Sequence, residues 1–457
     1  MRVLAIDIGT TSAKAAVLDN GVVIEVAESP IDLSHPQPGW AEQDPEQWWT
    51  ATVGAVRALR LTGSVDAVAV TGQMQDCVPV SFSTGRAVRP AVLYSDQRAA
   101  VQHEVLSTRL GMAWGEAALA QPDATNIAAK WQWLREHEPA SVAATDMVLL
   151  GGAAYVVWRT TGVASSDPTT AATTGLAEVR TESWWAPVVD AVQIPLPPMV
   201  SPAQVVGQVL PDVAEELGIT AGTPVVHTCG DAVSTSIGVL GDGIGRPYAY
   251  LGTSGWVGVF VEHADPRHGV IVLPGPTPDR WLNVMPVAIA GAAADWARES
   301  LLGGLDIATF DQLAGSTCAA SDGVGFLAQL DGTRFPEPDP HAAGVLIGAR
   351  RSTSSAVIAA AVYEGVAHTL AAIAEAVVPA TNSAAGELAV CGGGARSEVW
   401  CQVIADVTGR TVRRVSDDHA SLRGAAACAH RALGAAVLGP ASTLAAFAPR
   451  PERRGSH

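Results

Sequence analysis

The stretch Val3-Leu4-Ala5-Ile6-Asp7-Ile8-Gly9-Thr10-Thr11-Ser12-Ala13-Lys14 constrains this chain more than any other. The apolar run from Val3 to Ile6 predicts a buried strand that delivers one carboxylate, Asp7, to a Gly-Thr-Thr-Ser turn, and Ala15-Ala16-Val17-Leu18 predicts the strand that leaves it. A buried strand that ends on an acid must give that acid a partner, because an unpaired carboxylate out of water is costly. Small residues let the backbone approach a phosphate, the hydroxyls and amides of Thr10, Thr11 and Ser12 can donate to its oxygens, and Asp7 can hold magnesium through water. An ordinary tight turn uses the same residue types but gives no reason for Asp7.

The pattern recurs at Tyr248-Ala249-Tyr250-Leu251-Gly252-Thr253-Ser254-Gly255-Trp256-Val257, where a strand again meets a Gly-Thr-Ser turn and a second strand follows. This echo predicts two related lobes, each with a hydroxyl-bearing phosphate loop, divided near Gly241 to Gly245 into residues 1–243 and 244–457. A length of 457 residues fits two domains better than one core. The second copy carries no acid, so if both loops serve one triphosphate, the metal-facing carboxylate is needed once.

Between the echoes, Pro224-Val225-Val226-His227-Thr228-Cys229-Gly230-Asp231-Ala232 reads as a strand, a glycine and an acid opening a helix of small residues. Asp231 is either an N-cap aspartate, favoured as a carboxylate by the peptide dipoles, or a base placed at a strand end. The small residues that follow allow another element to pack very close. A third stretch, Leu388-Ala389-Val390-Cys391-Gly392-Gly393-Gly394-Ala395-Arg396-Ser397, resembles a dinucleotide fingerprint with Asp417 and Asp418 downstream. Ser397 stands where the last glycine belongs and too little chain follows for a dinucleotide half-domain, so a glycine platform for a purine is the better reading.

The substrate side is read from strand ends and loops. The strand Val65 to Thr71 runs into Gly72-Gln73-Met74-Gln75-Asp76, which sets amides and a carboxylate where sugar hydroxyls can be held, although a turn acid facing water explains Asp76 as well. Trp40, in the loop Pro36 to Pro45, either lines a pocket or covers a helix. Asp96 either closes on Arg98 or reaches substrate. Ser165, Ser166, Asp167, Thr169 and Thr170 read as a surface loop, and Lys130-Trp131-Gln132-Trp133 as a helix with an aromatic core stripe.

Composition narrows the setting. The net charge of −17 argues against nucleic acid and anionic membrane as partners, and six cysteines without short paired spacing suggest neither a disulfide framework nor zinc, which fits a soluble cytoplasmic protein.

Asp7 to Lys14, Gly230-Asp231-Ala232 and Gly392 to Arg396 stand in the order and spacing of the FGGY family of carbohydrate kinases, and the whole chain from Val3 to the last helix resembles it. Pro36 to Trp49 and Gly72-Gln73-Met74 are most similar to its xylulokinase branch. The resemblance implies an α/β fold of two ribonuclease H-like, actin-like ATPase domains with a catalytic cleft between them, using ATP and Mg2+. It makes Asp7, Gly9, Thr10, Thr11, Ser12 and Lys14 the first phosphate motif, Gly252, Thr253 and Ser254 the second, and Gly392, Gly393, Gly394 and Ala395 the adenosine motif. Asp231 becomes the catalytic base, and Asp7 and Asp231 the metal-facing acids. Gln73, Met74, Gln75, Asp76, Trp40, Asp96 and Asp231 are the expected sugar contacts, Gly291 to Trp296 resembles a segment beside the nucleotide, and a homodimer is implied. Gln75 and Asp76 replace the His-Gly pair usual in xylulokinases and Ala232 the following asparagine, so D-xylulose does not follow from the resemblance. The alternatives are a kinase of another polyol, ketose or sugar acid, a catalytically inactive sugar-binding regulator, and an actin-fold ATPase with a protein client.

Overall fold

The computed structural model describes residues 1–61, 63–241, 243–266, 269–317, 323–336, 339, 341–378, 386–416 and 419–450. Asp417, Asp418 and the tail beyond Arg450 lie outside the described residues. Arg450 is tied down: its backbone N–H and its guanidinium both donate to Asp406. The chain forms two compact units, and the first combines Met1–Gly241 with Leu273–Trp281 and His419–Gly439.

The first unit is built on a six-stranded sheet. Its strands are β1 (Arg2–Ile8), β2 (Ser12–Asp19), β3 (Val22–Pro30), then, after helix α1 (Pro45–Ala58), β4 (Ala67–Gly72). The strand β5 (Met74–Ser81) leaves this sheet for a second one, helices α2 (Ile127–His137) and α3 (Pro168–Ala172) follow, and β6 (Val205–Gln208) and β7 (Pro224–His227) return to it. The order is β6-β7-β4-β1-β2-β3. β1 pairs antiparallel with β2 and parallel with β4, which sets Asp7 between Lys14 and Thr71 at the carboxyl end of the sheet. β4 is parallel to β7, and β7 leads through Gly230 into helix α4 (Asp231–Leu240). Asp7 and Asp231 therefore stand at the same end of the sheet, at parallel strands on either side of β4, the usual location of ligand sites in such sheets. Leu4, Ile6, Ile8, Val68 and Val70 lie on one face against Trp48 and Tyr155, while Val3, Ala5, Ala67 and Ala69 lie on the other.

In the second unit β8 (Pro247–Leu251) and β9 (Gly255–Val261) form the echoing hairpin. Helix α5 (Ser355–Val377) precedes β10 (Glu387–Cys391), and helix α6 (Glu398–Thr408) precedes β11 (Thr411–Val415). β8 is parallel to β10, β10 is parallel to β11, and β11 is antiparallel to the edge strand β12 (Thr443–Phe447). A hairpin, two parallel neighbours and an antiparallel edge is also the sequence β2-β1-β4-β7-β6 of the first unit, so the echo of short motifs reports two ribonuclease H-like sheets. Helix α5 is long and apolar enough by composition to cross a membrane, yet Val362, Val366, Leu370 and Ile373 are buried inside the unit as a core helix would have them.

Helix α7 (Ala420–Ala432) packs with the first unit although it follows β11 in sequence, and Leu273–Trp281 belongs there too, so the first unit is not one continuous stretch of chain. It crosses α4 at two glycines. A Cβ on Gly238 would lie 1.9 Å from the Ala420 carbonyl oxygen, and one on Gly424 would lie 1.8 Å from that of Ser234. The close approach expected of the small residues after Asp231 is made by this helix.

Candidate active site

Within the first unit, Asp7 ends β1 and Asp231 begins α4. The Ser421 hydroxyl, at the start of α7, donates to Asp7 Oδ2 at 2.6 Å, whereas Asp7 Oδ1 is buried with no hydrogen-bond partner. Burial raises the Asp7 pKa above the usual aspartate value, and Ser421 and the Lys14 ammonium only partly offset it. A buried carboxylate oxygen without a donor suits a cation. Among the described residues no three His, Cys, Asp or Glu side chains gather into a metal cluster.

Asp231 is half-buried, and its Oδ1 accepts from the Ala232 N–H at 2.7 Å. Its pKa is pushed up to about 7, first by burial and then by the negative charges of Asp7, Asp76 and Asp167. Here the structure corrects the sequence expectation: the helix dipole favours the carboxylate, but desolvation and neighbouring acids outweigh it. A carboxylate near neutrality is matched to taking a proton from an alcohol at physiological pH.

The turn behind Asp231 is fixed by residues read from sequence as a surface loop. Ser165, Ser166, Asp167, Thr169 and Thr170 are buried instead. Asp167 Oδ1 accepts from the Thr170 N–H, capping α3, and from the Gly230 N–H. On β7, His227 Nδ1 hydrogen-bonds the Ser165 hydroxyl at 2.9 Å, and burial lowers the His227 pKa against the pull of Asp167. These polar groups are inside because each finds a partner there. Gly230 lies tight against Met74, since a Cβ there would stand 2.4 Å from the Met74 side chain and force it to move. The Gln73-Met74 segment therefore touches the turn that carries Asp231.

The expected sugar contacts divide. Gln73 starts directly beside Asp7, with its N–H donating to the Ile8 carbonyl. Gln75 has a left-handed φ of 69°, and its amide donates to Thr125 Oγ1 at 2.8 Å. Asp76 is no exposed turn acid: it is fully buried, accepts from the Tyr94 N–H, and faces Lys130. Burial raises the Asp76 carboxyl and lowers the Lys130 ammonium, while each holds the other charged. Lys130 donates to the carbonyls of Leu93 and Gln75, so part of the helix expected to be an aromatic core stripe supports the segment from below. Asp96 takes the closed alternative: it is fully buried, binds Arg98 through both oxygens and accepts from the Ala41 N–H, which leaves it nothing for a substrate. Trp40 is half-buried between Arg98, 3.7 Å from its ring, and the edge of Trp133.

In the second unit the Gly252-Thr253-Ser254 turn receives the helix start at Gly291: the N–H groups of Ala290 and Ala292 donate to the Thr253 carbonyl, and that of Gly291 to the Gly252 carbonyl. Gly392 follows β10 with φ 90°, and a Cβ there would meet the Leu251 carbonyl oxygen at 2.6 Å. This brings the Gly393–Arg396 turn against the end of β8, beside the second Gly-Thr turn. Ser397 caps α6 by accepting from the Trp400 N–H, which explains a serine in place of a fingerprint glycine.

Residues 2–238 match the N-terminal domain of the FGGY family of carbohydrate kinases, and residues 248–433 match its C-terminal domain. The chain belongs to the FGGY family of carbohydrate kinases. It is similar to the xylulose kinase of Escherichia coli strain K12, 32% identical over 417 residues that cover 89% of this chain and 85% of that one. The glycerol kinase of Bordetella parapertussis is 29% identical over 459 residues, covering 94% and 89%. The crystal structure of a xylulose kinase from Rhodospirillum rubrum superposes with a TM-score of 0.88 at 26% identity, covering 99% of this chain and 95% of that one. As a member of the FGGY family it is a sugar kinase, a phosphotransferase with an alcohol acceptor, and its two-unit α/β architecture is the actin-like fold of that family.

Ser421 is absent from every motif of the sequence reading, because it stands 414 positions from the acid it binds. Ser421→Ala should leave both Asp7 oxygens without a side-chain donor, at a cost of about 1–2 kcal/mol to folding or to the ordering of the acid. The expected result is a several-fold higher apparent KM for MgATP with the sugar KM unchanged, read by coupled ADP release alongside a thermal melt. Wild-type values in both would remove Ser421 from the site.

Proposed function

We propose that this kinase transfers the γ-phosphate of ATP to a hydroxyl of a small ketose resembling xylulose, with Asp231 as general base. The observation that carries the reading is a pair of acids at one end of the first unit's sheet in different surroundings: Asp231, whose side chain accepts from the Ala232 N–H, and Asp7, with one oxygen held by Ser421 and the other unpartnered. Asp231 accepts the proton of the attacking hydroxyl, which raises the nucleophilicity of that oxygen as the bond to phosphorus forms. Asp7 would hold Mg2+, which supplies charge neutralisation at the phosphates. The Gly9–Ser12 turn, Lys14 and the Gly252–Ser254 turn are assigned to the phosphates, and Gly392–Ala395 to adenosine. The sugar is placed against Gln73, Met74 and Gln75. Asp76 acts by seating this segment on Lys130, since its own side chain is buried. The enzyme is further proposed to be a cytoplasmic homodimer that engages neither nucleic acid nor membrane.

The test is ADP release across a panel of pentuloses, tetruloses, heptuloses, glycerol and other polyols, and aldonates. A pentulose should give the highest kcat/KM, with a kcat at least tenfold above the sugar-free rate of ADP release. Glycerol or an aldonate in first place would move the substrate class within the family, as the glycerol kinase relatives allow. Tight sugar binding with no ADP release under any condition would make the protein a binding regulator.

A further inference from the structure

Two glutamines close a ring of hydrogen bonds between the phosphate turn and the sugar segment. Gln43, in the extended pair Glu42–Gln43 ahead of α1, is 2% exposed and uses both ends of its amide. Its Nε2 donates to the Thr10 carbonyl at 2.6 Å and to the Asp32 carbonyl at 3.1 Å. Its Oε1 accepts from Trp48 Nε1 and from Gln73 Nε2, both at 3.0 Å. Gln73 is 3% exposed and at its Oε1 accepts from the Thr10 hydroxyl at 2.9 Å. The ring thus runs from the Thr10 carbonyl through Gln43 and Gln73 to the Thr10 hydroxyl.

The orientation of the amides follows from their partners. An indole N–H can only donate and a backbone carbonyl can only accept, so Trp48 fixes the oxygen of Gln43, and the Thr10 and Asp32 carbonyls fix its nitrogen. Gln43 then has an oxygen to offer Gln73, and Gln73 has an oxygen left for the Thr10 hydroxyl. A shift of Gln73 must break a bond to Gln43 or to Thr10, and a fully buried polar group released in this way is costly. Gln73 is also tied to Ile8, the neighbour of Asp7, and Met74 abuts Gly230, the neighbour of Asp231. The ring therefore joins the part of the unit assigned to the phosphates to the part assigned to the sugar.

We propose that Gln43 is a positioning residue that locks the Gly9–Ser12 turn to the Gln73-Met74 segment, so that nucleotide turnover depends on a sugar seated there. The inference rests on the ketose-kinase reading above. Gln43 touches neither substrate; it acts through Thr10 and Gln73.

Methionine matches glutamine in length and lacks its donors and acceptor, so Gln43→Met, Gln73→Met and the double variant test the ring. With the best sugar of the panel, each single variant should lose on the order of tenfold in kcat/KM and release more sugar-free ADP relative to sugar-stimulated ADP. Because one ring is broken in either case, the double variant should be no worse than the poorer single. Wild-type kinetics in Gln43→Met, a melting temperature that falls without any change in turnover per folded molecule, or a double variant equal to the product of the singles would each overturn the proposal. If Gln43→Met does not fold, Gln73→Met reads the same ring, and an unchanged ratio of sugar-free to stimulated turnover there overturns it. A wild type with no sugar-dependent ADP release overturns the functional reading and this inference together, whereas an active wild type with indifferent variants overturns this inference alone.

Discussion

Asp231→Asn is expected to lower kcat by about a hundredfold to ten-thousandfold, the range carried by a general base, with little change in the sugar KM. Asparagine keeps the shape and can still accept from the Ala232 N–H, so positioning survives and proton acceptance does not. In the wild type the carboxyl is pushed up to about 7, and the active form is the deprotonated one. kcat/KM for the sugar should therefore be full well above pH 7 and fall as the pH drops through it, and the same variant should show none of this limb. Stability should move the opposite way. A folded-state pKa raised above the unfolded value means that the fold favours the protonated acid. That contribution is complete below about pH 4 and is lost as the pH rises through 7. At pH 8 Asp231→Asn should thus be more stable than the wild type by up to about 4 kcal/mol, the free-energy equivalent of roughly three pKa units, with the difference vanishing below pH 4. Denaturant melts at pH 4 and pH 8, with kcat/KM for the sugar measured from pH 5.5 to 9, test both halves. A variant with wild-type turnover would take the base role from Asp231.

The sequence exposed the parts of this protein that are built from adjacent residues. The Asp7 hairpin, its echo at Gly252 and the strand-Gly-Asp-helix run at Asp231 are all short-range patterns, and each folds as its pattern says. What the sequence withheld depends on contacts between distant segments. Ser421 reaches Asp7 only because α7 returns to the first unit. Gln43 lies in a proline-punctuated loop whose composition suggests solvent, and only the fold brings it to Thr10 and Gln73. The polar run Ser165 to Thr170 looked exposed because polarity was its one visible property, but the amides of Gly230 and Thr170 and the ring of His227 satisfy it inside. The raised Asp231 carboxyl was hidden for a related reason. The helix dipole that lowers its pKa is visible in its own helix, whereas the acids and the burial that raise it belong to other strands and turns. Asp96 closed on Arg98, the local alternative, because that partner is two residues away.

Gly424→Ala should be among the most destabilising single substitutions in the first unit, although it adds one methyl group. The new Cβ would stand 1.8 Å from the Ser234 carbonyl oxygen, roughly half a normal contact, and the obstacle is helix backbone that no rotamer change can clear. Relief requires α7 and α4 to separate, which opens the layer where Leu422, Ala425, Ala426 and Ala429 lie against β1 and β4. Overpacking of this kind costs 1–3 kcal/mol when side chains can yield, so about 3 kcal/mol or more is expected here, and Gly424→Val should be worse. The effect should reach the chemistry as well. α4 begins at Asp231, and α7 carries Ser421 to Asp7, so a wedge between the helices displaces both acids. Urea melts should show a lower midpoint for Gly424→Ala, and kcat per folded molecule should fall with it at temperatures where the variant remains folded. An unchanged midpoint would mean that the two helices do not cross at this glycine. A lowered midpoint with wild-type kcat would mean that the catalytic geometry does not depend on their spacing.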